Sequence, residues 1–150
     1  MPGLGGLELQ QKLARSGNHV PIIFLTGNGD IPMSVRAMKS GAVDFLSKPC
    51  RDEDLLSAIR HAVERDQRLR RERAESKSID ARLAKLAPRE MEVMLGVAAG
   101  HMNKHIASRL GTVEKTIKVH RGRVMKKMGA RSLADLVRMA EAVGMARARP

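Results

Sequence analysis

A chain of 150 residues with 28 Lys and Arg against 16 Asp and Glu carries a formal net charge of +12 and has room for one average domain or two small ones. Its single cysteine, Cys50, excludes a disulfide framework and a thiolate metal cluster, and no apolar run approaches the ~20 residues of a membrane span. With no Trp, no Tyr and only Phe24 and Phe45, there is no aromatic platform for stacking unpaired bases, so a nucleic-acid partner would be duplex DNA.

The charge is concentrated at one end. Residues 1–50 hold 5 basic and 3 acidic side chains, residues 51–80 hold 8 of each, and residues 81–150 hold 15 and 5, so +10 of the +12 lies in the last segment. That is the electrostatic footprint of a nucleic-acid binder. The first residues lack the basic and apolar regions of a signal peptide, which fits a cytoplasmic protein.

In chain order, Met1–Gly6 reads as a Gly/Pro loop and Leu7–Arg15 as a short amphipathic helix. Val20–Leu25 (VPIIFL) is a brief continuous apolar run, the pattern of a buried parallel strand. The loop Thr26–Asp30 then falls at a strand's C-terminal end, where open α/β sheets place ligands. Ile31–Ser40 is a helix closed by Gly41, Val43–Leu46 a second buried strand, and Asp52 to about Asp66 a helix with an acidic first turn and an apolar stripe of Leu55, Leu56, Ile59 and Val63. Strand and helix alternate as in a βα-type parallel sheet. Glu64–Lys77 has mixed charge, almost no apolar stripe and neither Pro nor Gly; it reads as a charged continuation of the helix, with a disordered linker as the alternative.

The last third is helical throughout. Pro88–Ala99 has Pro in its first turn, acids Glu90 and Glu92 near its start, Gly100 past its end, and an apolar stripe of Val93, Met94 and Val97. Asn103–Leu110 is a short helix with Ile106, Ala107 and Leu110 inward, and Gly111-Thr112 turns tightly into Val113–Met128. On that longer helix Val113, Ile117, Val124 and Met128 form the buried stripe, while Lys115, Lys118, Val119, Gly122 and Lys126 share the opposite face, with Arg123 at its flank and no acid among them. Such a face suits a major-groove reader; a solvated basic face on a packed helix is the alternative. Ser132 caps a last helix, Leu133–Val143, and Ala146–Pro150 reads as disordered.

The stretches LAPREMEVMLGVAAG, NKHIASRL and VEKTIKVH resemble the LuxR-type helix-turn-helix family at many fixed spacings over about the last 65 residues. The resemblance implies base-edge contacts from Lys118 and Val119, and backbone contact or orientation from Lys104, Lys115, Thr116 and His120; His120 has a packed, hydrogen-bonded histidine as its alternative. Gly122 stands where some relatives carry a long basic side chain, and either lets the helix lie close to the DNA or is an exposed, slightly destabilising glycine, while Lys126 and Lys127 would serve the general phosphate field. Met102, His105 and Val113 depart from the family's capping residues, with Asn103 and Thr112 as candidate substitutes; each lost cap costs on the order of 1 kcal/mol. In such relatives the last helix forms the dimer contact, here Leu133, Leu136, Val137 and Ala140, unless that stripe only closes the core.

MPGLGGLEL, IIFLTG and AMKSGAVDFLSKP similarly resemble the second half of a response-regulator receiver domain. Thr26 matches the hydroxyl that bonds the phosphoryl group, Lys48 the lysine that pairs with it, Pro49 the proline after a usually cis bond, and Phe45 the aromatic switch position. In that family the phospho-accepting Asp and the acidic Mg²⁺ ligands lie upstream of the Met-Pro-Gly loop. The expectation is therefore an N-terminally truncated receiver with no phosphoacceptor, no metal site and an uncovered sheet edge that leaves it unstable, dimeric or aggregating, whether by gene truncation, a misplaced start or true shortening.

Together these readings give a partial α/β receiver fragment over residues 1–66, a helical, charged linker over 67–81 and an all-α four-helix LuxR-type domain over 82–146, resembling NarL/FixJ-type two-component response regulators. The function implied is transcriptional regulation by binding double-stranded DNA, as a homodimer on an inverted repeat, without catalysis or cofactor. A sensor kinase and RNA polymerase are further implied partners, and no membrane is. The alternative is an interaction module that pairs with a full-length regulator or kinase; an enzyme that dephosphorylates itself is disfavoured.

Overall fold

In the computed structural model, which describes residues 5–28 and 30–145, seven helices and two strands follow one another as α1 (Gly6–Arg15), β1 (Ile23–Thr26), α2 (Ile31–Lys39), β2 (Asp44–Ser47), α3 (Asp52–Leu83), α4 (Pro88–Ala98), α5 (Asn103–Leu110), α6 (Glu114–Met128) and α7 (Leu133–Ala142). They form two compact units, Met1–Arg71 and Glu72–Pro150, with the boundary inside α3. The Met-Pro-Gly loop and the tail expected to be disordered lie outside the described residues.

In the first unit β1 and β2 pair in parallel, Ile23 opposite Asp44 through Thr26 opposite Ser47, with α2 as the crossover. Both strands start later than their apolar runs. Pro21 has no N–H to give a ladder, so pairing begins past it, with Val43 N–H donating to Ile22 O at 2.8 Å. Phe24 and Phe45 face each other across the register with ring centroids 6.1 Å apart. A Cβ at Gly6 would stand 3.0 Å from the Phe24 ring, a tight contact that a glycine at the start of α1 avoids. Gln10 is buried, and its Nε2 ties α1 to α2 by donating to Ala37 O at 3.0 Å.

Two expectations fail here. The strands are half-buried, with Leu25 exposed; among the described residues α2 packs against β2 but no third strand joins the sheet. On α3 the buried face is Ala58 and Ala62 with half-buried Leu55, while Leu56, Ile59 and Val63 of the expected stripe are exposed.

α3 continues unbroken to Leu83, and its end belongs to the second unit's core: Ile79 is 3% exposed and Leu83 packs beside it. That core is otherwise built from Val93, Met94 and Val97 of α4, Ile106 and Ala107 of α5, Ile117, Val124 and Met128 of α6, and Leu136 and Ala140 of α7. α4 packs closely on α5 because Gly96 leaves room: a Cβ there would meet Ile106 Cγ1 at 2.8 Å. Gly111 (φ 64°) and Gly129 (φ 66°) end α5 and α6 in the left-handed conformation, one giving the tight turn of the helix-turn-helix.

Candidate nucleic-acid interface

The three buried residues of α6 fix which way its other face looks. Ile117, Val124 and Met128 are fully buried, so Lys115, Lys118, Val119, Gly122 and Lys126 face solvent, with Arg123 beside them. From Lys115 to Lys126 the strip runs about 16 Å at the helical rise, enough to follow a major groove ~12 Å wide. Lys104, at the start of α5, is also exposed. Among the described residues Lys104, Lys115 and Lys126 make no salt bridge, so their charge is open to a phosphate. Glu114 is an acid that the face was expected to lack, and its carboxylate lies 3.8 Å from Lys118 Nζ. Both side chains are exposed and the separation is long, which leaves Lys118 able to exchange this partner for another.

Thr116 and His120 are half-buried at the edge of the face. His120 Nδ1 is buried without a hydrogen-bond partner among the described residues. Val113 is corrected most plainly: expected in the buried stripe, it is 64% exposed, because it is the N-cap, with extended backbone outside the helical period. Neither substitute cap forms. Asn103 is already inside α5, where its Oδ1 accepts from Arg121 at 3.1 Å, and Thr112 is held through its backbone N–H to Ala107 O. Ser132 does cap α7, its Oγ accepting from Asp135 N–H at 3.1 Å.

Three polar ties hold α6 in place, and none is visible in helical periodicity. Lys127, expected in the phosphate field, instead donates to the Glu90 carboxylate at 2.6 Å and to Lys85 O at 3.2 Å. Glu90 is only 3% exposed, and its other contact, from Ala87 N–H at 2.9 Å, caps the start of α4. The Lys127 hydrogen bond, then that of Ala87, and lastly the charges of Lys127 and Arg123 hold Glu90 below the usual carboxylate range against the opposing effect of burial. Arg121 joins α6 to the start of α5 as above. Arg82, from the last turn of α3, donates to Met128 O at 2.7 Å and so satisfies a terminal carbonyl of α6.

On α7, Leu136 (1% exposed) and Ala140 face the unit's own core and cannot meet a second copy; Leu133 and half-buried Val137 remain outside. In the first unit Thr26 and Lys48 come together at the C-terminal ends of the two strands, where Lys48 N–H donates to Thr26 O at 2.7 Å. The Thr26 hydroxyl accepts from Asn28 N–H at 3.2 Å, Lys48 and Pro49 are exposed across a cis peptide bond, and Phe45 is half-buried against Phe24. Among the described residues no cluster of His, Cys, Asp and Glu is arranged to hold a metal ion, and no helix is long and apolar enough to cross a membrane.

Comparison with known proteins locates both halves. Residues 1–60 match the response regulator receiver domain, and residues 84–140 match the bacterial regulatory proteins of the luxR family. Nodulation protein W of Bradyrhizobium diazoefficiens is 56% identical over 145 residues, covering 97% of this chain and 64% of that protein. The transcriptional regulatory protein FixJ of the same organism is 45% identical, covering 97% of this chain and 71% of FixJ. The chain thus spans about two thirds of the length of these relatives. Among solved structures the response regulator StyR is 43% identical with a TM-score of 0.74, over 94% of this chain and 71% of that one. The chain belongs to the NarL/FixJ-type response regulators, which join a receiver domain to a luxR-family helix-turn-helix.

Proposed function

We propose that the chain regulates transcription by binding duplex DNA sequence-selectively, with α6 in the major groove. The observation that carries this is the exposed cationic strip of α6 set over a fully buried stripe, so that the strip is presented rigidly. In this reading Lys118 and Val119 touch base edges, Lys104, Lys115, Thr116 and His120 anchor or orient against the backbone, and Arg123 and Lys126 add to the field that displaces counterions. Membership of a family that includes a protein named as a transcriptional regulator supports the same reading. Two copies meet through Leu133 and Val137 and set their reading helices on an inverted repeat. The work is done by binding in the cytoplasm, without catalysis.

The 150 residues by themselves do not take up a phosphoryl group in this proposal. Asp30 Oδ1 is committed to capping α2 at 2.7 Å from Met33 N–H, and Asp44 Oδ1 accepts from Phe45 N–H at 2.8 Å. An acceptor carboxylate and a cation are what phosphoryl transfer requires. Incubation with acetyl phosphate and Mg²⁺ should leave the intact mass unchanged.

The deciding experiment is selection of duplexes from a random DNA pool by the purified chain without a phosphodonor. Enrichment of an inverted repeat is expected. Salt-sensitive retention with no enriched sequence would sink the proposal and favour the second reading, an interaction module that pairs with a full-length regulator or kinase, for which the exposed apolar side chains of the first unit speak.

A further inference from the structure

Arg121 occupies the core-facing row of α6, four residues after Ile117 and three before Val124, both fully buried. A guanidinium in such a row is costly unless a carboxylate pairs with it. Among the described residues Arg121 makes no salt bridge; its half-buried side chain donates instead to the neutral Oδ1 of Asn103 at 3.1 Å. An apolar side chain would serve the packing better, so core stability does not account for an arginine here. What the bond supplies is direction, since the planar fork of a guanidinium holds its acceptor along a fixed line.

α5 needs that direction at one end. The Gly111 turn holds its last residue, and Ile106 and Ala107 seat its middle in the core. Its first residue, Asn103, lies about 10 Å from that turn at the helical rise, after an N-cap, Met102, that makes no side-chain cap bond. Lys104, exposed, comes next. Among the described residues no other side-chain hydrogen bond joins α5 to α6. We infer that Arg121 is a positioning residue for DNA: through Asn103 it sets the span between Lys104, which takes a backbone phosphate, and the base-reading strip of α6. This rests on the reading of α6 as the groove-binding helix and of Lys104 as an anchor. Without the bond the start of α5 swings about the Gly111 turn, and Lys104 misses its phosphate while α6 sits in the groove.

The test uses the full chain as wild type, Asn103→Ala, Lys104→Ala, the double variant of these two, Arg121→Met and Lys118→Ala. Thermal midpoint is measured for each, and affinity for the duplex selected by wild type is followed across a series of salt concentrations. Lys104→Ala should lower the slope of log affinity against log salt by about 1, the loss of one phosphate contact. Asn103→Ala removes no charge, yet should lower the slope by the same amount, and the double variant no further. Arg121→Met breaks the same bond with a side chain suited to the core-facing row. It should give that slope too, and carries the test if Asn103→Ala does not fold. A merely structural tie would lower the midpoint and leave the slope alone. A wild-type slope without the bond, or additive losses with Lys104→Ala, overturns the inference. If Lys118→Ala then still broadens the selected sequence, the groove-binding reading stands and only the role of Arg121 falls. If wild type enriches no sequence, both fall.

Discussion

Glu90 and Lys127 show how one pair with a buried carboxylate decides both a local structure and a pH response. Glu90 caps α4 and fastens α6 with the same carboxylate, so its loss unties two helices at once. Its pKa is held below the usual carboxylate range in the folded chain, while unfolding returns it to the ordinary glutamate value. A folded value below the unfolded one means a contribution that is full above the unfolded value and is lost as pH falls from there through the folded value. Asp135 adds to the same acid limb. It accepts from Arg131 N–H and from Arg138, and the first of these contacts does most to lower it. Thermal midpoints of wild type and Glu90→Gln should differ at pH 7, with the variant lower, and converge as pH drops below about 4. A gap that stays constant well below that pH would remove the ionised pair from the account. Lys118→Ala belongs to the same scale and to the opposite surface: its midpoint should match wild type within about 0.5 kcal/mol, as for exposed positions, while its selected sequence broadens in random-pool selection.

The helix ends are where the elements gain or forgo stability. Val113 occupies an N-cap with extended backbone (φ −99°, ψ 153°), but its side chain cannot accept a hydrogen bond, and it buries little area there. Val113→Ser should stabilise the second unit by about 1 kcal/mol, the usual worth of a cap, read from the denaturation midpoint. Gly96→Ala tests the reverse. Its Cβ would fall 2.8 Å from Ile106, and overpacking of this kind costs about 1–3 kcal/mol, more than alanine's better helix propensity returns. Amide exchange should then speed up in α5. The starts and stops of these helices were legible because their chemistry is local: Pro88, Gly100, Gly111 and Ser132 each act within one turn of themselves. The inward faces were legible only where a second element covers them. Val113 was misplaced because a periodic pattern was extended one residue past the point where the backbone stops being helical. Lys127 was misread because a lysine on a basic helix looks alike whether its partner is a phosphate or a buried glutamate 37 residues away.

At the scale of the whole chain the two units differ in how completely they close. Residues 72–150 enclose a continuous core from five helical segments, whereas residues 1–71 leave Leu9, Val20, Leu25, Ile31, Val35, Met38, Leu56, Ile59 and Val63 exposed. Exposed apolar side chains in this density drive association. Produced separately, 72–150 should sediment as a folded species with a single cooperative transition, and 1–71 should self-associate in sedimentation velocity; a monomeric, well-folded 1–71 would contradict this. Here the sequence was least able to speak. The stripe Leu55–Val63 is amphipathic whether or not a neighbour packs on it, and only the fold reveals that alanines 58 and 62 take the inner side. Ile79 was overlooked for a related reason: a lone apolar residue in a charged stretch gives no period, yet it is among the most buried side chains of its unit.

The hydrogen bond from Arg82 to Met128 O joins the last turn of α3 to the far end of the helix that carries the cationic strip. With Ile79 and Leu83 locked into the same core, the end of α3 and the end of α6 are thereby fastened to each other, by this bond and by the core they share.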